Sequence, residues 1–292
     1  MIPQQGKAAD AILAFFYGLL RFLPSEWASQ IGSTGYRVNA KLALKEAMAK
    51  AKANLRIHKP QASEAELDAM VMEFYDGVGR VAAEFAVMHR FWDEGRFTIA
   101  GLEPFQAAYR TRPILALCVH TGNWETFSPV FQRAGIKLNS IIQPPNSAFE
   151  RFIVQLVRER FDVSVIEPDI RGIRTAIRVL RDNGVVSMFP DEARNGQSYG
   201  PLFGRKPHDK GNLAIAARLA RMTGASIQIG HCRRIGACRF ALTFEPLFEL
   251  PSENGQDILA DVAFLNGKIE PIVAANIPRW YFLDDSLAPV TG

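Results

Sequence analysis

The sequence predicts an α/β fold: a mostly parallel central sheet flanked by helices, with an N-terminal helical layer ahead of it. Two observations carry this. From about residue 8 to Trp92 apolar residues recur at helical spacing, whereas beyond that point they gather in short uninterrupted runs separated by amphipathic stretches. Strands buried on both faces read as such runs, and strands alternating with helices form parallel sheets covered on both sides.

Taken in order, the N-terminal third breaks at Lys59-Pro60 and restarts where Ser63 precedes Glu66 in capping-box spacing. The strands expected after it are Pro113 to Val119, Leu138 to Ile142, Val163 to Ile166, Val185 to Phe189, Ser226 to Gly230 and Phe240 to Phe244. Helices fall between most of them, at Phe149 to Phe161, Gly172 to Asp182 and Asn212 to Thr223. No internal repeat and no Ser/Gly/Pro linker divides the chain. Residues 1–292 are therefore expected to form one domain, with 1–95 the helical layer and 96–292 the α/β core.

Composition narrows the class. The 292 residues carry 34 basic and 30 acidic side chains, a net charge of +4, and a mean hydropathy of -0.01. These values exclude a disordered chain, a collagenous chain and a polytopic membrane protein. The charge favours acidic partners such as phospholipid head groups and is too weak to argue for nucleic acid. Cys118, Cys232 and Cys238 form no even disulfide framework and lack the close C-x2-4-C pair of a structural zinc site, so a reducing compartment is expected. The N-terminus lacks a signal-peptide cleavage pattern, and Ala11 to Leu23 is shorter than the about 20 apolar residues a spanning helix needs. That segment either lies in one face of a membrane, with Phe15, Phe16, Leu19, Leu20 and Phe22 inserted, or is a core helix.

Chemistry is expected beyond the carboxyl ends of the strands, where open α/β sheets bind ligands. The run ILALCVHTGNWETF places His120 at such an end. Gly122 permits a sharp turn, Asn123 is a good helix N-cap, and Glu125 follows five residues after the histidine. Within one helix that spacing would separate the two by about 140°, but across a strand-turn-helix corner they can meet. A carboxylate on one imidazole nitrogen fixes the tautomer and supports the imidazolium formed when the other takes a proton. The plainer alternative is a histidine bonded to backbone with Glu125 on a wet helix face. Cys118 points to the same side as His120 and is read as a packing residue. No G-x-S-x-G, P-loop, G-x-G-x-x-G or H-E-x-x-H pattern occurs, and His58, His89, His208 and His231 are scattered.

His120-Thr-Gly-Asn-Trp-Glu125 resembles the H-x4-E signature of the late acyltransferases of lipid A biosynthesis, relatives of the H-x4-D glycerol-phosphate acyltransferases. Phe189-Pro190-Asp191, Gly200-Pro201-Leu202-Phe203-Gly204 and the Ala-rich helix ending Thr223-Gly224-Ala225 resemble the family's second block. Asn54-Leu55, Pro60, Glu84, Asn146 and Pro278-Arg279-Trp280-Tyr281 match it elsewhere, so the resemblance covers nearly the whole chain. It implies a glycerol-phosphate-acyltransferase-like fold and O-acyl transfer without cofactor or metal. The donor would be an acyl carrier protein or acyl-CoA thioester, the acceptor a glycolipid, and the location the cytoplasmic face of the bacterial inner membrane, peripheral or monotopic. His120 and Glu125 would be catalytic, with Asn123, Trp124, Asn146, Arg158, Asp191, Arg194, Gly204 and Arg205 binding substrate. The acceptor the resemblance implies is a lipid A precursor; the family's basic run after Trp-Tyr is replaced here by Phe282-Leu283-Asp284-Asp285, which leaves room for an acceptor that differs from the ordinary one. Rival readings are an acyltransferase for a mannosylated or amino-acid-bearing lipid, a non-catalytic lipid-binding paralogue, and a thioesterase.

The cations leave choices open. Arg205 and Lys206 either hold an acceptor phosphate or are solvated loop charges. Arg158 and Arg160 resemble an Arg that the family carries near this helix end, which implies that one of the two would reach a phosphate or oxyanion. Arg171, Arg174, Arg178 and Arg181 line one helix face opposite Ile173, Ile177 and Leu180, suited to an acidic carrier protein or anionic lipid, or simply solvated.

Overall fold

The computed structural model describes residues 7–143, 148–194, 196–285 and 287. Four helices open the chain: α1 (Lys7–Leu20), α2 (Ser25–Ala43), α3 (Lys45–His58) and α4 (Glu64–Glu84). The helix α4 starts on the expected capping box, in which the Ser63 hydroxyl accepts from the Glu66 amide and the Glu66 carboxylate accepts from the Ser63 amide at 2.7 Å. The crossing of α2 over α4 is held to glycine contact: a Cβ on Gly32 would lie 2.2 Å from the Gly79 carbonyl oxygen, and one on Gly79 2.3 Å from that of Gly32. Neither helix can carry a side chain there without separating the pair.

After β1 (Phe97–Ala100) and α5 (Leu102–Ala108) come β2 (Ile114–Cys118), α6 (Phe127–Arg133), β3 (Leu138–Ile141), α7 (Ala148–Arg160), β4 (Val163–Ile166), α8 (Ile170–Arg181) and β5 (Val185–Met188). A short hairpin of β6 (Glu192–Arg194) and β7 (Gln197–Gly200) follows, then α9 (Gly211–Thr223), β8 (Ser226–Gly236), β9 (Arg239–Phe244) and α10 (Ile258–Ala275). The main sheet has the order β1-β9-β8-β2-β5-β3-β4, and every neighbouring pair is parallel except β8 and β9. The mostly parallel α/β sheet and the N-terminal helical layer are as the sequence predicts. The strand β8 runs six residues beyond the expected Gly230, because Arg234 finds a buried partner and the antiparallel β9 supplies pairing.

Side chains of β2 alternate between two cores. Leu115, Leu117 and Val119 face the one built from α3, α4, α8, α9 and α10; Ile114, Ala116 and Cys118 face the one built from α5, α6 and α7. All five β2 residues are buried, as expected of a central strand. Among the described residues no helix is long and apolar enough to cross a membrane.

Candidate active site

Two neighbouring strands deliver the site. In the parallel pair β2 and β5, Leu117 lies opposite Met188, so His120 and Asp191 each stand three residues past matched positions. Asp191 Oδ1 lies 3.1 Å from His120 Nδ1, and Oδ2 accepts from the His120 amide at 2.9 Å and from the Trp280 indole at 2.9 Å. Asp191 has no exposed surface, so three donors replace the water its charge would otherwise hold. An imidazole whose Nδ1–H faces a carboxylate keeps its lone pair on Nε2. That nitrogen makes no hydrogen bond among the described residues. The ring stacks on Phe189 at 4.0 Å between centroids and meets the edges of Trp124 at 5.3 Å and Phe282 at 5.2 Å.

The carboxyl-terminal segment closes the other side. The Tyr281 amide donates to the His120 carbonyl at 3.0 Å, and Trp280 pairs with Thr121 in an isolated bridge. The Asn54 amide of α3 donates to the carbonyls of Leu283 and Asp285, and Arg279 donates to Glu73 on α4 and to the Arg234 carbonyl. The matches at Asn54 and at Pro278 to Tyr281 therefore meet in space: one fixes the turn, and the other supplies the indole that holds Asp191.

Glu125 does not meet His120. Its Oε2 lies 3.0 Å from Arg158 Nη2, and Arg158 Nη1 donates to the Ser128 hydroxyl at 3.0 Å. The chain turns at Gly122, whose φ of 63° is left-handed and where a Cβ would sit 2.5 Å from the Cys232 carbonyl oxygen. Asn123 then caps the 3-10 turn Trp124–Thr126 by accepting from the Glu125 amide, which swings the carboxylate toward α7. The imidazole's partner is Asp191, which the sequence suggests only as a substrate contact. The signal available was the pair of strand ends carrying His120 and Asp191, but choosing between two carboxylates needs the strand register.

Asn123 is likewise not open to substrate. It is buried, with its oxygen on the Glu125 amide and its nitrogen donating to Glu84 Oε2 at 2.7 Å. Glu84, fully buried, receives both guanidinium nitrogens of Arg234 at 2.6 and 2.7 Å and the Ser29 hydroxyl at 2.7 Å. Burial alone would raise the Glu84 pKa; the Arg234 charge and these hydrogen bonds outweigh it and hold the carboxyl below its ordinary range. Arg205 is also spoken for: it donates to the carbonyls of Leu202, Ser198, Pro201 and Leu287 and clamps the loop after β7, so it is not the phosphate ligand expected. Burial pulls its pKa down.

The other expected residues are dispersed. Trp124 packs against Tyr281 at 4.8 Å beside the imidazole. Arg194 is exposed, 4.6 Å from the Tyr199 ring centroid, and Lys206 is exposed. Gly204 takes a left-handed φ of 80° in open space. Asn146 lies outside the described residues. Arg158 lines a cavity of about 480 Å³ beside β4, with Ile142, Val154 and Val163 among its walls. Cys118 is buried, and burial pushes its thiol far above the ordinary value, which leaves it a packing residue. Arg171, Arg174, Arg178 and Arg181 are all exposed, with no ion pair among the described residues.

The chain is thus an α/β protein with a carboxylate-held imidazole at the carboxyl edge of a covered parallel sheet, where such sheets bind ligands. The family model for bacterial lipid A biosynthesis acyltransferases matches residues 5–287, and the chain belongs to that family. Membership indicates acyl transfer in lipid A biosynthesis. A search of curated proteins finds no matching relative.

Proposed function

We propose that the chain moves a fatty acyl group from a carrier-protein or CoA thioester to a hydroxyl of a lipid A precursor, working as a peripheral protein on the cytoplasmic face of the inner membrane. The observation that carries this reading is the Asp191-held His120 with Nε2 unengaged. In that chemistry Nε2 takes the hydroxyl proton as the oxygen attacks the thioester carbonyl. The new C–O ester bond forms, the C–S bond breaks, and the imidazolium returns its proton to the departing sulfur. Glu125 enters through Arg158: the pair, with Ser128, keeps a buried guanidinium at this end of α7, available to a phosphate or a developing oxyanion. The four arginines on α8 form the docking face for an acidic carrier protein.

The test is mass spectrometry of lipids from strains with the gene, without it, and with His120→Ala. The expected result is one acyl chain lost in the deletion and not restored by the variant, whose purified turnover falls by on the order of 10² to 10⁴. Identical lipid profiles in all three strains would refute the reading.

A further inference from the structure

The helix α2 is amphipathic in the wrong sense for a surface helix in water. Its buried residues are small or hydroxyl-bearing, namely Ser25, Ala28, Ser29, Ser33 and Ala40. Apart from Tyr36, which packs on Tyr75 in the core, its large apolar residues point away from the protein: Trp27 is 67% exposed, Ile31 49%, Val38 52% and Leu42 77%. At about 100° per residue these four fall within about 60° of one another around the axis, so they form one stripe. A water-facing helix normally shows the reverse. Small residues at a helix–helix contact with large apolar ones outside is the arrangement of helices in lipid. The preceding helix adds Phe15, Phe16 and Leu19, and Phe22 in the connection is 86% exposed.

Charge selects the occupant. Arg37 and Lys41 border the stripe on one side, and Arg21 and Lys45 stand just beyond its two ends; all four are exposed, and none has a carboxylate partner among the described residues. The acidic residue of α2, Glu26, is tied to Arg96 at 2.7 Å. An apolar stripe bordered by free cations matches an anionic bilayer, with side chains reaching the acyl boundary and cations at the phosphates. With α1 only 14 residues long, the pair is suited to lying along the surface.

We infer that the outward face of α2, continuous with α1, is a docking surface for an anionic lipid bilayer. The inference deepens the proposed function, since it rests on an acceptor that resides in a membrane. It also places on one helix the lipid contact and, on the opposite side, Ser29, which donates to the Glu84 carboxylate that holds Asn123.

The test is co-sedimentation of the full chain with vesicles of phosphatidylethanolamine and phosphatidylglycerol, alongside phosphatidylcholine vesicles, with Trp27 fluorescence as the local probe. The wild type should bind the anionic vesicles and shift Trp27 emission to the blue; Trp27→Phe assigns that shift. The combined change Ile31→Gln, Val38→Gln and Leu42→Gln should weaken binding at least tenfold and abolish the shift. It should leave the thermal melt and turnover in detergent micelles unchanged, because the three side chains make no core contact. Equal vesicle binding by wild type and triple variant would overturn the inference, as would equal binding to neutral vesicles. So would a triple variant that only turns a dimer into a monomer, which would make the face an interface between two copies. A wild type that binds through α2 yet transfers no acyl chain in micelles would overturn the acyltransfer reading and leave the surface standing.

Discussion

Asp191 can be tested by a substitution that keeps shape and changes one proton. In Asp191→Asn, the His120 amide and the Trp280 indole both donate to the position of Oδ2, so the side-chain oxygen stays there and the new NH2 faces Nδ1. Nδ1 must then accept, which moves the imidazole proton to Nε2 and removes the base. Turnover should fall by on the order of 10² to 10⁴ with the thermal melt little changed. In double mutants, His120→Ala with Asp191→Ala should lose far less than the product of the single losses, while Glu125→Ala should couple to Arg158→Ala instead. Steady-state rates of the wild type, the four single variants, these two doubles and the double His120→Ala with Glu125→Ala decide it; coupling of Glu125 to His120 alone would restore the arrangement read from spacing. His120 was legible in the sequence because a polar residue ending a buried run can only face the crevice. Its partner was not, because Glu125 and Asp191 are both plausible until Leu117 is seen opposite Met188.

Elements differ in how much of their role the linear pattern discloses. The fourth helix announces itself through Ser63 and Glu66, a contact only three residues long. The hairpin of β6 and β7 is not among the strands expected from the sequence, since three- and four-residue strands with mixed burial give no periodic signal. The amphipathic α8 is legible, but whether its arginines are solvated or paired needs coordinates, and the structure leaves them exposed without partners among the described residues. If that face receives an acidic carrier, changing Arg174 and Arg178 to Glu should raise the apparent KM for carrier-bound acyl chains. It should spare a short soluble thioester, which makes no use of the surface. The difference should shrink as salt shortens the screening length from about 10 Å at 0.1 M to about 3 Å at 1 M. Parallel losses with both donors would assign the stripe to the acceptor side or to stability, and no loss with either would leave it a solvated face.

At the scale of the whole molecule, the ionised Glu84 fastens the N-terminal layer to the turn after β2 and Asp76 ties two helices within that layer, and this makes stability depend on acid. Glu84 and Asp76 are both pushed up by burial and then held below their ordinary values of 4.5 and 3.8 by facing guanidinium groups, Arg234 and Arg80. A carboxyl depressed in the folded state contributes stability that is present above its unfolded pKa and lost as pH falls through its folded one. Glu192 and Asp284, raised by burial, act in the opposite sense: their contribution is present at low pH and lost as pH rises through their folded values. With Glu84 fully enclosed and doubly bonded to Arg234, the acid-sensitive pair should prevail. Calorimetry should show a Tm that is nearly level between about pH 6 and 8 and falls below about pH 4.5. Glu84→Gln should be less stable at neutral pH and show a shallower acid slope. An acid slope unchanged by that substitution would locate the sensitivity elsewhere.

The indole of Trp280 has a temporal meaning as well as a spatial one. Ribosomes emit a chain in sequence order, so His120 and Asp191 emerge well before the donor that completes their arrangement. Until Pro278 to Tyr281 has followed and docked beneath Asn54, the aspartate lacks one of its three donors and the histidine carbonyl lacks the Tyr281 amide. A nascent chain halted before residue 280 would thus hold both His120 and Asp191 and still lack the indole and the amide that fix them, so the arrangement is completed only after that later segment has emerged.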